Sequence, residues 1–108
     1  MTLAKYGQPV IVCPAAMLGA TGPLPIAGTL ASGTAEDLAG IALAQMVRPG
    51  TPVVFGMKSN AMDMKGMIFV CGSPEGALMQ AWGARMAQFY DLPSRGGGSQ
   101  TDAPVVNV

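Results

Sequence analysis

Histidine is absent from these 108 residues, charged side chains make up 11% of them and aromatics 6%, and each shortage removes a class of answers. Without histidine, serine–histidine and cysteine–histidine machinery, His-ligated metals and an imidazole general base have no source in this chain. Six Lys+Arg balance six Asp+Glu, so the basic field that nucleic-acid binding draws on is missing as well. The two cysteines, Cys13 and Cys71, have neither a CxxC pairing nor another metal spacing. Each sits in an apolar run, where a buried free thiol is the expectation. The longest apolar runs, Pro9 to Ala20 and Met67 to Cys71, fall short of the ~18–20 residues a membrane-crossing helix needs. The start, Met1-Thr-Leu-Ala-Lys5, has no secretory pattern, which predicts a cytoplasmic chain with no membrane and no nucleic-acid partner.

What is present is apolar surface, proline and glycine. Half of the residues are hydrophobic and the mean hydropathy is +0.40, enough to bury a core and to argue against disorder. Gln8-Pro-Val-Ile-Val-Cys13 is a short β-branched run bounded by Gly7 and Pro14, which predicts a strand buried on both faces. Thr51-Pro-Val-Val-Phe-Gly56 repeats that design, and Asp91-Leu-Pro-Ser-Arg-Gly96 is a weaker third copy running into a glycine-rich loop. Pro9, Pro52 and Pro93 stand 43 and 41 residues apart, the clearest organisational signal in the chain.

Helical periods fill the intervals. Thr34-Ala-Glu-Asp37 has the form of a capping box, after which Leu38, Ile41, Ala42 and Gln45 share a face. The same period reaches back through Ile26, Ala27, Leu30 and Ala31, leaving the start open over two turns, and Arg48-Pro-Gly50 closes the helix. The second helix starts at Ser73 with Pro74 in its first turn, and Leu78, Ala81, Trp82, Arg85, Met86 and Phe89 predict its packed face. Strands alternating with helices imply an α/β fold with parallel strands. Three strands and two helices neither cover both faces of a sheet nor close a barrel, so residues 1–108 are expected to be a single fragment of a larger α/β domain.

In such architectures ligands gather at the C-terminal ends of strands. The three loops there hold most of the polar candidates: Thr21 in the first; Lys58, Ser59, Asn60, Asp63 and Lys65 in the second; and Arg95, Gly96, Gly97 and Asp102 in the third. Gly19-Ala-Thr-Gly22 and Arg95-Gly-Gly-Gly98 would let backbone N–H groups approach an anion, although neither has a dinucleotide or Walker spacing and such turns are usually only turns. Asp63 and Asp102 could supply acid–base groups, against the commoner arrangement of a loop acid that caps a helix or faces water. Met57, Met62, Met64 and Met67 form either core filling or a soft ligand wall.

Gly19-Ala-Thr-Gly-Pro23, Ala27-Gly-Thr-Leu30, Ala35-Glu-Asp-Leu-Ala-Gly-Ile-Ala-Leu-Ala-Gln45, Pro49-Gly-Thr-Pro-Val53, Gly72-Ser-Pro-Glu75 and Phe89-Tyr-Asp-Leu-Pro-Ser-Arg-Gly-Gly-Gly98 together resemble the trimethylamine methyltransferase family, which includes glycine betaine methyltransferases. The resemblance covers roughly residues 6–103 and lies in the order and spacing of these motifs. It implies a partial TIM (β/α)8 barrel of about two and a half βα units. It also implies methyl transfer from a small methylated amine, trimethylamine or a betaine, to a corrinoid (cobalamin) carried by a separate corrinoid protein. Substrate or corrinoid contacts would then fall to Thr21, Ser59, Asn60, Asp63, Arg95, Gly96, Gly97 and Asp102, with no metal site in the chain and no activity expected of this piece alone. A quaternary ammonium would favour an aromatic wall, yet Phe55, Phe69, Trp82 and Phe89 are few, and the last two fit a core face better. The competing readings are a non-catalytic α/β binding or assembly module, including a homo-oligomer paired through open strand edges, and a phosphate-binding α/β enzyme.

Overall fold

Proline and glycine set the ends of the elements, and the β-branched runs between them form the sheet. The computed structural model describes residues 1–98 and 100. A one-turn helix α1 (Thr2–Lys5) leads into β1 (Val10–Val12), α2 (Ile26–Val47) and β2 (Val53–Met57). A small hairpin of β3 (Met62–Asp63) and β4 (Ile68–Phe69) follows, then α3 (Pro74–Phe89) and β5 (Ser94–Gly96). Central β2 pairs in parallel with β1, Val10 opposite Val53, and with β5, Phe55 opposite Ser94. The expected α/β fold with parallel strands is present. The antiparallel hairpin inside the second loop was not expected, because two-residue strands carry too little periodicity to read.

Helix α2 begins at Ile26 behind Pro25, so the Thr34 capping box is not its start. Thr34 and Asp37 lie within the helix, whose long run of alanine and leucine continues in both directions through them. Its far end is closed by one side chain: Gln45 Nε2 donates to Thr51 O at 2.8 Å, and Gln45 Oε1 accepts from Gly50 N–H at 2.9 Å. The Arg48–Thr51 turn is thereby tied to the last helical turn.

Helix α3 starts as its sequence predicts, with Ser73 Oγ accepting from Gly76 N–H at 3.1 Å. Its packed face is a different one. Leu78, Trp82 and Phe89 are exposed, whereas Gly76, Met79, Gly83 and Ala87 are buried. The reason is proximity: a Cβ on Gly83 would stand 2.5 Å from the Cβ of Met57. A helix lying that close to a strand must present its smallest residues, so the bulky apolar stripe stays outside.

Met57 also meets Gly33 of α2, so both helices cover the same face of the sheet. Val53, Phe55 and Met57 point into that layer, and Ile11 and Arg95 are exposed on the other face. Beneath the helices, at the strand starts, Ala4, Ala44 and Val53 pack with Val10, Ile41 and Leu92. Toward the strand ends a second cluster joins Leu18, Leu30 and Met79 to Ile26 and Ala61. No helix among the described residues is long and apolar enough to cross a membrane.

Candidate binding site at the strand ends

Beyond the sheet the first two loops keep the strand geometry, which is why their residues are held in place. Lys58 N–H donates to Pro14 O at 3.0 Å, Asn60 N–H to Ala16 O at 3.1 Å and Leu18 N–H to Asn60 O at 3.0 Å. This extension of the β1–β2 ladder fixes Ser59 and Asn60, 1% and 6% exposed, above the strand ends.

The eight residues singled out from the sequence separate into distinct places. Thr21 belongs to a turn, its Oγ1 accepting from Met17 N–H at 2.9 Å while Met17 O accepts from residues 20 to 22. Asp63 closes the β3–β4 hairpin by accepting from Lys65 N–H at 3.0 Å and Gly66 N–H at 3.2 Å, and it is exposed. Ser59 turns toward α2, its Oγ 3.6 Å from where a Gly33 Cβ would be and without a hydrogen-bond partner among the described residues. Arg95 is exposed on the open sheet face. Asp102 lies outside the described residues, so the Asp63–Asp102 pairing lies outside them too.

Asn60, Gly96 and Gly97 do come together, around the start of α3. Asn60 Oδ1 accepts from Ser73 Oγ–H at 2.8 Å and from Ala61 N–H at 3.0 Å. Asn60, Gly72, Ser73, Gly76, Ala77, Gln80 and Gly98 line a cavity of about 410 Å³, and Gly96 and Gly97 lie against the Gln80 carboxamide. A second groove of about 310 Å³ runs on the other side of the same helical turn, between Leu18, Leu24, Ile26, Ala61, Met62 and Met64, with Glu75 at its edge. Met62 and Met64 thus form part of a wall, while Met57 is core and Met67 is exposed. The aromatics give no such wall: Phe55 is buried in the helix layer against Tyr90, and Phe89 stacks edge-on with Tyr90 at the far end of α3.

Asp37 was legible only as a capping acid, and the structure gives it a different position. It is fully buried on the inner face of α2, its Oδ1 accepting from Gly56 N–H at 3.4 Å and its Oδ2 without a partner among the described residues. Burial pushes its carboxyl up to about 7, Glu36 adds to the rise, and the Gly56 N–H works against it. The available signal was the stripe Gly33, Asp37, Gly40 and Ala44, one acid among small residues at helical spacing. Cys13, expected to be buried, is exposed as a residue because it leaves the strand on the face without helices. Its sulfur nevertheless sits close to Gly56, and burial, followed by the Asp37 charge, raises the thiol despite Arg95 and Lys58. Cys13 is therefore held as a thiol rather than a thiolate. No three His, Cys, Asp or Glu side chains among the described residues gather to hold a metal ion.

A family model described as trimethylamine methyltransferase matches residues 1–108. The chain is 47% identical over 108 residues to the glycine betaine methyltransferase of Desulfitobacterium hafniense (strain Y51), covering 100% of this chain and 22% of the relative. It is 46% identical over 102 residues to the trimethylamine methyltransferase MttB of Methanosarcina barkeri (strain Fusaro), covering 94% of this chain and 21% of that protein. It is 37% identical over 103 residues to the proline betaine:corrinoid methyltransferase of Eubacterium limosum, with 95% and 21% covered. The chain thus spans about a fifth of the length of the curated relatives it matches.

Proposed function

The chain belongs to the trimethylamine methyltransferase family, and on that premise we propose that the protein it forms part of moves a methyl group from a methylated amine to a corrinoid carried by a partner protein. The observation that carries this reading is the family match over the whole chain. The groove beside α3 supports it: methionine and aliphatic walls with one carboxylate, Glu75, at the edge suit a methylated ammonium, which is bulky, apolar on its surface and positively charged.

The proposed setting is a partial TIM barrel in the cytoplasm. Both helices on one face and strands added in sequence order suit a wedge of a closing barrel better than a doubly wound sheet, whose helices divide between two faces. The strand ends that carry Asn60 and Arg95 would then face the barrel mouth.

Lys58 and Arg95 are exposed at that end, two cations that fit the amide and phosphate oxygens on the rim of a corrinoid. When bound, the corrinoid supplies the nucleophile that accepts the methyl group. The groove residues Met62, Met64 and Glu75 would orient the ammonium and hold its N–methyl bond outward. The electron pair of the broken C–N bond stays on nitrogen, so a quaternary donor leaves as a neutral amine and needs no acid from this chain.

The test uses a protein of the relatives' length that carries this chain, mixed with reduced cobalamin and, separately, trimethylamine, glycine betaine and proline betaine. Loss of one methyl from one of these amines, matched by methylated cobalamin, is the expected result, and no demethylation of any of them overturns the reading. Arg95→Ala is expected to weaken use of the methyl acceptor about tenfold, the scale of one lost charge-assisted contact; unchanged transfer removes Arg95 from the site.

A further inference from the structure

The cavity at the start of α3 is built around a side chain whose polarity the fold does not use up. Asn60 is 6% exposed, and its Oδ1 accepts from Ala61 N–H and Ser73 Oγ–H. A backbone N–H can only donate, so the atom facing Ala61 has to be the oxygen, and the NH2 group is fixed on the opposite side. Among the described residues none accepts from that nitrogen, and it is not one of the polar atoms sealed away from solvent. Nδ2 therefore opens onto the cavity that Asn60 lines.

Three further features point the same way. Gly76 N–H donates to Ser73 Oγ, whose O–H donates to Asn60 Oδ1, a one-way chain in which each bond polarises the next and sharpens the NH2 group as a donor. Gly76 itself is needed, because a Cβ there would overlap the Asn60 carboxamide. Among the described residues no acid lines the cavity, Gln80 offers a second carboxamide beside Asn60, and the N-terminus of the 16-residue α3 adds partial positive charge.

We propose that this cavity binds a carboxylate, seated between Asn60 Nδ2 and the Gln80 amide above the first turn of α3. The carboxylate site stands on this geometry alone.

The experiment is a nitrogen-15 NMR titration of this chain with sodium acetate, glycine betaine and tetramethylammonium chloride. Acetate and glycine betaine are expected to give the same saturable shifts at the Asn60 and Gln80 side-chain NH2 signals, and tetramethylammonium chloride, which has no carboxylate, none at those two signals. Gln80→Leu should weaken acetate about tenfold. Asn60→Asp, which keeps an oxygen for Ala61 and Ser73, puts a negative charge where the ligand would sit and should abolish the response. Should Asn60→Asp fail to fold, Gln80→Leu with an unchanged melting temperature decides alone. Absent or unsaturable shifts, shifts that the chloride salt reproduces, or acetate binding unaltered in folded Gln80→Leu overturn the proposal. Lost shifts leave methyl transfer from trimethylamine standing, and failed methyl transfer leaves the shifts in place, so the two failures are distinguishable.

Discussion

At the starts of the strands, Ala4, Ala44 and Val53 pack with Val10, Ile41 and Leu92, and the buried Thr51 hydroxyl there donates to Arg48 O at 2.8 Å. Toward the strand ends, Thr34 Oγ1, Asp37 Oδ2 and Ser59 Oγ are buried with no hydrogen-bond partner among the described residues. Each such atom costs about 1–3 kcal/mol relative to a satisfied one. A region that carries three of them beside a loop cluster is not arranged for stability alone. The lower end holds the sheet and helices together, and the upper end carries the polar groups that the described residues leave unpaired.

The largest break in that contrast is Phe55→Ala. Phe55 is fully buried in the helix layer and stacks on Tyr90 with ring centroids 6.4 Å apart, so its loss should cost about 3–5 kcal/mol in denaturant unfolding at every pH. A loss below 1 kcal/mol would mean that the layer is not close-packed.

Asp37→Asn probes the other end and has the opposite sign. Because the folded state holds the Asp37 proton up to about 7 while an unfolded aspartate releases it near 4, the folded chain binds more protons across that interval. Stability should therefore fall as pH rises from about 4 to about 7 and then level off. Relaxation of the folded chain around the carboxylate tempers the penalty to about 2–4 kcal/mol. Asp37→Asn should remove this slope and leave stability below pH 4 unchanged; an unaltered slope would assign the pH dependence elsewhere.

Gly83→Ala is a smaller effect that tests why the packed face of α3 is its small-residue face. Intrinsic helix preference favours alanine by about 1 kcal/mol. The clash with Met57 should outweigh it and give a net loss of about 1–2 kcal/mol in thermal unfolding. A stabilised variant would show that α3 can move away from β2.

The three parallel strands and the start of α3 were legible because proline, β-branched runs and a Ser-Pro-Glu cap act locally. The packed face of α3 was not, because Leu78, Trp82 and Phe89 look like a core stripe until the distance to Met57 is known. Asn60 was legible as a candidate, but its partners Ser73, Gly76 and Gln80 were not, since they lie 13 to 20 residues away and meet only when α3 folds back along the sheet. Asp37 was misread because Thr34 and Asp37 satisfy a local capping pattern that the longer helix overrides.

The sequence by itself determined the alternation of strands and helices, the lack of histidine chemistry and the family, because composition, chain order and motif spacing survive without coordinates. Tertiary structure alone decided which polar groups converge. A glycine's role at Gly76 or Gly83, a buried acid at Asp37 and the open NH2 of Asn60 depend on contacts between residues far apart in the chain, which no local pattern records.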